Sequence, residues 1–378
     1  MLTLTGIQES LFLWGPRQTG KTSLLTIQFS QAEHIDLLRS ELFIAYSKRP
    51  QLLRERMLKL NPEIVIIDEI QKVPALLDEI HWLIENTNIQ FVLCGSSARK
   101  VKRGHANLLG GRAFRRVLHG ISAIELKKDF DLLKMLNHGY LPKIYLSDNP
   151  EDYHHSYVTD YLKEEIAAEG LVRNLPSFSE FLELASLSDT EMISYSTFAR
   201  DVGVSQPTIK SYFEILTDTM LAELLPSYTK RPKRRVIQAP KFYFFDVGIV
   251  NYLAQRGSIK IGSELFGKAF ENWVFHELRC YRDYKKPALK IHYWKLSSGI
   301  EVDFILGNME VAIEVKSSKK INSSHLKGLR ELRKDHPSIG KLVVVSLESP
   351  SRITSDGIEI FSYIDFIDVL WNQNMLME

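Results

Sequence analysis

Cysteine is almost missing from this chain: Cys94 and Cys280 are the only two in 378 residues. So small a set builds no disulfide framework and fits a reducing compartment. No apolar run approaches the roughly 20 residues that cross a bilayer, and no signal-peptide pattern is present. These lacks predict a cytoplasmic protein with no membrane partner. Internal repeats and low-complexity tracts are also absent. The one adjacent histidine pair, His154-His155, has no second pair at metal-ligand spacing and reads as a solvated helix face. Net charge is small, 48 Lys and Arg against 46 Asp and Glu, and it hides two basic blocks. Residues 99–117 carry seven Lys or Arg and residues 229–241 carry six, neither with an acid. Such blocks suggest contact with a polyanion or simply a solvated face. With 44% apolar and 25% charged residues, the chain has the composition of two or three globular domains.

What is present begins with Gly15-Pro16-Arg17-Gln18-Thr19-Gly20-Lys21-Thr22, a complete G-x-x-x-x-G-K-[ST] loop. It follows the apolar run 11–14 and precedes a helical stretch at 23–28, the strand-loop-helix setting that phosphate binding needs. Backbone N–H groups of such a loop turn inward onto phosphate oxygens, and the helix N-terminus adds positive potential. Lys21 reaches the β- and γ-phosphates, and Thr22 offers a hydroxyl to Mg²⁺.

The run 64–69, Ile-Val-Ile-Ile-Asp-Glu, reads as a buried parallel strand ending in two acids. Ligands of open α/β sheets bind at that end of the strands. Asp68 is then placed to hold Mg²⁺ through water, and Glu69 to orient or deprotonate an attacking water. Further strands are expected at 34–37, 90–94 and 114–118, and helices at 52–60 and 76–85. Alternation of this kind indicates a parallel three-layer sheet. Ser96, with Ser97 as the alternative, follows the strand at 90–94 and would lie near a γ-phosphate. An ordinary strand-ending turn explains the same residues. Cys94 reads as a small core residue.

GPRQTGKT, IIDEIQKVP, LCGSSARK and Leu109-Gly110-Gly111-Arg112-Ala113 together resemble the AAA+ class of P-loop ATPases. Within that class the chain is similar to a prokaryotic family that joins a short ATPase module to a nuclease-like carboxy-terminal domain. The resemblance implies ATP as ligand. It also implies a role for Arg112, contacting the γ-phosphate in cis or acting as an arginine finger across a homo-oligomer; a basic loop residue on the surface explains it equally.

Beyond residue 125, helices are expected at 129–137 and 150–168 with a turn at 139–142. Residues 194–216 have the rhythm of a helix-turn-helix: Ser196 as first cap, Gly203 at the turn, Ser205 as second cap, Pro207 in the first turn. Ile209, Tyr212, Phe213 and Leu216 share one face of the second helix. Gln206, Thr208, Lys210 and Ser211 lie on the other and could enter a major groove. Strands at 221–228 and 236–245 flank a basic connection, suggesting a winged helix. Its wing would grip DNA phosphates through Arg231, Lys233, Arg234 and Arg235. An interdomain packing role explains the same pattern.

In the last third, Glu271 sits on an amphipathic helix, and Asp303, Glu314 and Lys316 on neighbouring strands. Glu314 and Lys316 are two apart and share a face. Two carboxylates and a lysine at a sheet edge can bind a metal and position a water. The Asp-x₁₀-Glu-x-Lys pattern resembles the PD-(D/E)xK nucleases, with Glu271 matching their helical acid and Val302 where a Pro often precedes the first Asp. That resemblance implies a restriction-endonuclease-like α/β domain with a second Mg²⁺ or Mn²⁺ on Glu271, Asp303 and Glu314. A packing helix is expected at 361–370.

The expected organisation is an α/β P-loop NTPase domain of AAA+-like type over 1–125, a helical and winged-helix segment over 126–240, and a nuclease-like domain over 241–378. The function this suggests is Mg²⁺-dependent ATP hydrolysis controlling a DNA-binding, nuclease-like tail. The alternative is an ATP-switched binding or regulatory protein whose nuclease fold no longer cleaves.

Overall fold

β-Branched side chains restrict their own backbone to extended conformations and pack well when both sheet faces are covered. Ile64–Asp68 therefore forms a strand, β3, buried along nearly its whole length. The structure, a computed structural model, describes residues 2–96, 108–163, 172, 174–230, 234–373 and 375–376. Contacts divide the chain into two units, Met1–Gly120 with Asp218–Leu221, and Ile121–Thr217 with Ala222–Glu378.

The first unit is built on β1 (Ser10–Trp14), β2 (Glu33–Asp36), β3, β4 (Gln90–Gly95) and β5 (Ala113–Val117). The order is β2-β3-β4-β1-β5, and every pair is parallel. Helices Lys21–Gln28, Leu52–Leu60 and Leu76–Asn86 lie within one or two residues of their expected positions. Phe12, Ile67 and Leu93 of the sheet pack with Leu53, Met57 and Ile80 of two helices in one fully buried cluster. β4 lies between β1 and β3, so the residues after it border both the phosphate loop and the Asp68 end.

The second unit does not break at residue 240. β8 (Lys241–Phe244) is the middle strand of a small antiparallel sheet with β6 (Glu191–Met192) and β7 (Ala222–Leu225). Tyr243 of β8 shares one core with Tyr140 and Leu136 upstream and with Trp273, Phe304 and Ile313 downstream. The middle and carboxy-terminal stretches are thus a single packing unit. The strands expected at 221–228 and 236–245 are shortened to β7 and β8, with Pro226 and Pro240 at the junctions, since proline donates no ladder hydrogen bond.

Ser194, rather than Ser196, caps helix Tyr195–Val202 by accepting the Thr197 N–H at 3.4 Å. Gly203 turns at φ 70°, and Ser205 accepts the Thr208 N–H at 3.3 Å to open helix Gln206–Asp218. The helix expected at 129–137 is Leu132–His138, capped by Asp131. The one expected at 150–168 is α-helical to Ser156 and π-helical over Tyr157–Lys163, and its remainder lies outside the described residues. His154 is buried, its Nε2 2.9 Å from the His138 carbonyl oxygen, which corrects the solvated reading for that residue, while His155 is exposed.

Helix Glu264–Lys285 leads into a six-stranded sheet. Its strands are β9 (Ile291–Lys295), β10 (Glu301–Leu306), β11 (Val311–Lys316), β12 (Lys341–Ser346), β13 (Arg352–Ile353) and β14 (Ile358–Ser362), ordered β13-β14-β12-β11-β10-β9. Residues 358–362 form an edge-ward strand, so the packing helix begins at Tyr363 and runs to Asn372. Among the described residues no helix is long and apolar enough to cross a membrane.

Candidate nucleotide site and a carboxylate cluster

The loop 15–20 leaves β1 and enters helix Lys21–Gln28 at the carboxyl edge of the parallel sheet. A side chain at Gly15 would place its Cβ 2.3 Å from the Leu118 carbonyl oxygen, and Gly20 holds φ 92° at the helix entry. Both positions require glycine. Thr19 Oγ1 donates to the Pro16 carbonyl at 2.9 Å and stiffens the loop. Pro16 is buried, Arg17 half-buried and Gln18 exposed with a left-handed φ of 63°. Lys21 Nζ donates to the Gly15 and Pro16 carbonyls, each at 2.8 Å. Burial depresses the Lys21 ammonium pKa, with Cys94, Glu69 and Asp68 opposing. An anion there would restore what burial removes.

Thr22 Oγ1 donates to Asp68 Oδ2 at 2.6 Å, bringing the loop and the end of β3 together. Asp68 Oδ1 accepts the Glu69 N–H at 3.0 Å. Glu69 itself stands in the left-handed region at φ 56°, a conformation that costs a non-glycine residue on the order of 1 kcal/mol and concentrates at functional sites. Gln71 Nε2 donates to Glu69 Oε2 and, at 3.1 Å, to Ser96 Oγ. Ser96 is 1% exposed. Six of the expected residues (Gly15, Lys21, Thr22, Asp68, Glu69 and Ser96) thus converge at one sheet edge. Gln71 was not anticipated; the signal was a lone amide in the apolar stretch after Asp68-Glu69. Cys94 is buried as expected, and desolvation together with Asp68 pushes its thiol well above the ordinary range. The alternative Ser97 lies outside the described residues.

Arg112 does not join them. It precedes β5, whose parallel register pairs Ala113 with Ser10 and Val117 with Trp14. It therefore sits at the opposite edge of the sheet from the loop, about 16 Å away at ~3.3 Å per strand residue. Its Nη2 instead pairs with Glu85 Oε1 at 2.7 Å. The γ-phosphate contact in cis is corrected by this register.

A Mg-nucleotide fits the loop by its donor chemistry. Thr22 and Asp68 supply a hydroxyl and a carboxylate side by side, and the Lys21 ammonium, 6% exposed, is held by carbonyls that a phosphate can replace.

In the second unit, Glu271, Asp303, Glu314 and Lys316 do lie on adjoining elements, but a residue the sequence did not single out stands among them. Lys241 Nζ lies 2.8 Å from Glu271 Oε1, 2.6 Å from Glu301 Oε1 and 3.5 Å from Asp303 Oδ1. Tyr243 also donates to Glu271 Oε1, at 2.6 Å. Asp303 Oδ2 accepts the Val315 N–H at 2.8 Å, Lys295 holds Glu301 Oε2 at 2.7 Å, and Lys316 pairs with Glu314. Burial, with Asp303 adding to it, pushes the Glu314 carboxyl up to about 8. Burial alone would lower the Lys241 ammonium, yet Glu271, Tyr243 and the other acids outweigh it and hold its pKa well above the usual lysine range. Among the described residues no group of three His, Cys, Asp or Glu is arranged to hold a metal ion. The residues do not fit the second metal that the nuclease resemblance implies.

Of the expected nucleic-acid contacts, Gln206 and Lys210 are exposed on helix Gln206–Asp218. Thr208 is half-buried, 2.8 Å from the Ser205 hydroxyl. Arg235 is exposed, and Arg231 and Lys233 lie outside the described residues. Arg234 is corrected: its guanidinium holds Asp335 Oδ2 at 2.8 Å and Glu331 Oε2 at 2.9 Å. The physical reason is that the connection runs along β9. Tyr228 N–H donates to the Tyr293 carbonyl at 2.7 Å and Ile237 N–H to the Lys295 carbonyl at 2.9 Å.

Three families match the chain. Residues 129–260 match a domain of unknown function, DUF8612, and residues 266–364 another, DUF4143. An uncharacterized protein of Mycobacterium tuberculosis is 22% identical over 344 residues, 85% of this chain and 74% of its own length. An uncharacterized protein of Haemophilus influenzae is 24% identical over 338 residues, 84% and 80% of the two lengths. Among solved structures, the Aeropyrum pernix ORC1 protein in complex with DNA is 14% identical, at a TM-score of 0.30 over 66% of this chain and 87% of that one. The Aeropyrum pernix ORC2 protein in its ADP form is 12% identical, at a TM-score of 0.31 over 58% of this chain and 82% of that one. Residues 8–127 match the family described as an AAA domain, and with the all-parallel β2-β3-β4-β1-β5 sheet and its phosphate loop they form a P-loop domain of the AAA+ class.

Proposed function

We propose that the first unit binds Mg-ATP and hydrolyses it, and that its nucleotide state governs what the second unit binds. The observation that carries this reading is the juxtaposition of Thr22, Asp68, Glu69, Gln71 and Ser96 at the end of the phosphate-loop strand and its neighbours. The loop N–H groups and Lys21 bind the phosphates. Thr22 and, through water, Asp68 would hold the metal, which would supply positive charge to offset that of the phosphates. Glu69 orients the attacking water and takes its proton, Gln71 fixes the direction of that carboxylate, and Ser96 lines the same pocket. Arg112 is kept as a finger acting across subunits of a homo-oligomer.

The experiment is ATP turnover by the full chain beside Lys21→Ala and Glu69→Gln. Loss of hydrolysis in both supports the reading; undiminished hydrolysis in both overturns it.

For the second unit we propose DNA binding through helix Gln206–Asp218, with the three short strands as a winged-helix support. The exposure of Gln206 and Lys210 on the helix that follows the Gly203 turn favours it. Cleavage of that DNA is not part of the proposal, because the carboxylates offer no open metal position. The switched-binding reading is the one the geometry favours.

A further inference from the structure

The carboxylate cluster of the second unit has a cation already, and that cation belongs to the chain. We infer that Lys241 is its resident counter-ion, standing where a divalent metal would sit, so that this domain keeps its fold and its binding role without metal.

The argument begins with valence. A lysine ammonium has three N–H donors and accepts nothing. Lys241 has three carboxylates around it, those of Glu271, Glu301 and Asp303, at 2.8, 2.6 and 3.5 Å. Lys295 and the Val315 N–H engage the second oxygens of Glu301 and Asp303, while Tyr243 donates to the same Glu271 Oε1 that Lys241 holds. Glu314 faces Lys316 through one oxygen and keeps the other, Oε2, buried without a partner. Mg²⁺ keeps several waters and needs only one or two carboxylates, but the Lys241 ammonium stands among the carboxylates such an ion would share and would have to leave before it could enter.

It is poorly placed to leave. Lys241 opens the central strand of the small sheet, opposite Met192 on one side and Leu225 on the other. Ladders on both sides fix its backbone, and its side chain is only 5% exposed. A flexible surface lysine could swing away from an arriving metal; this one is bound at both ends.

The test counts metal on the full chain without nucleotide. Mn²⁺ binding followed by electron paramagnetic resonance should give isotherms that superimpose for wild type and Asp303→Asn. Lys241→Met should gain one Mn²⁺ per chain, and Lys241→Met combined with Asp303→Asn should lose it again. A wild-type Mn²⁺ that Asp303→Asn removes overturns the inference, and so does a folded Lys241→Met variant that gains none. A measurement on wild type alone covers the case in which the variants do not fold. Fe²⁺ with ascorbate and peroxide cuts backbone beside bound iron, and cuts within β10 or β11 overturn the inference, while their absence supports it. None of these outcomes depends on ATP turnover by the first unit.

Discussion

Thr22 Oγ1 and Asp68 Oδ2 meet at 2.6 Å across 46 positions of sequence, tying the phosphate loop to the acid-bearing end of β3. Because Asp68 also fixes the Glu69 N–H, the metal-side carboxylate and the water-side carboxylate share one rigid turn. The two should separate on mutation. Glu69→Gln is expected to lower kcat by roughly 10²–10⁴, the usual worth of a positioned base. Binding of a fluorescent ATP analogue should stay intact, measured by anisotropy titration.

Gln71 touches Glu69, not the reacting atoms, so its role is positioning. Gln71→Ala is expected to lower kcat by up to about 10², the cost of a misdirected group, with little change in KM. A kcat that stays unchanged while the unfolding midpoint falls would assign Gln71 to packing alone.

Much of this first site was legible because local rules and tertiary structure agree there. The loop motif, the apolar run before Asp68 and the strand-helix alternation each specify one arrangement. Arg112 was misread because sequence proximity to the loop's family motifs says nothing about which end of β5 it occupies; the parallel register does. Lys241 was missed for a related reason. It lies at the end of a basic block that reads as solvated, and only the pairing of β8 between β6 and β7 turns its side chain inward onto Glu271, Glu301 and Asp303. Arg234 likewise reads as a free wing residue until Asp335 and Glu331, about a hundred positions on, are brought to it.

Removing one partner of a buried ion cluster leaves the others uncompensated, typically at 3–5 kcal/mol. Lys241→Ala is therefore expected to destabilise the chain by about that amount, read from urea unfolding. Chelators should leave the wild-type transition where it is. A midpoint that falls on adding EDTA without nucleotide would contradict the lysine's role as the cluster's cation.

Glu277, fully buried on helix Glu264–Lys285, accepts the Ala123 N–H at 2.7 Å and the Trp371 Nε1–H at 3.2 Å. Burial raises its carboxyl to about 7 from the ordinary 4.5. An acid whose pKa is higher when folded binds its proton more tightly in the folded state. Its contribution is full below pH 4.5 and is lost as pH rises through about 7. That loss amounts to about 3 kcal/mol. The difference in unfolding free energy between pH 5 and pH 8 should shrink by most of that amount in Glu277→Gln, measured by urea titration at both pH values.

Lys210 and Arg234 carry the same charge and should behave oppositely toward DNA. Lys210 is exposed on the helix proposed to face the groove, whereas Arg234 is held by Asp335 and Glu331. A lysine that neutralises a phosphate releases a counterion, so Lys210→Ala should weaken binding and reduce the slope of log K against log salt by about 1. Arg234→Ala removes no phosphate contact and should leave that slope unchanged. It should instead lower the unfolding midpoint, since Asp335, itself buried, loses its partner. Filter binding of duplex DNA at several salt concentrations, beside thermal unfolding, separates the two. A salt slope that moves with Arg234 and not with Lys210 would shift the DNA surface from the helix to the basic connection.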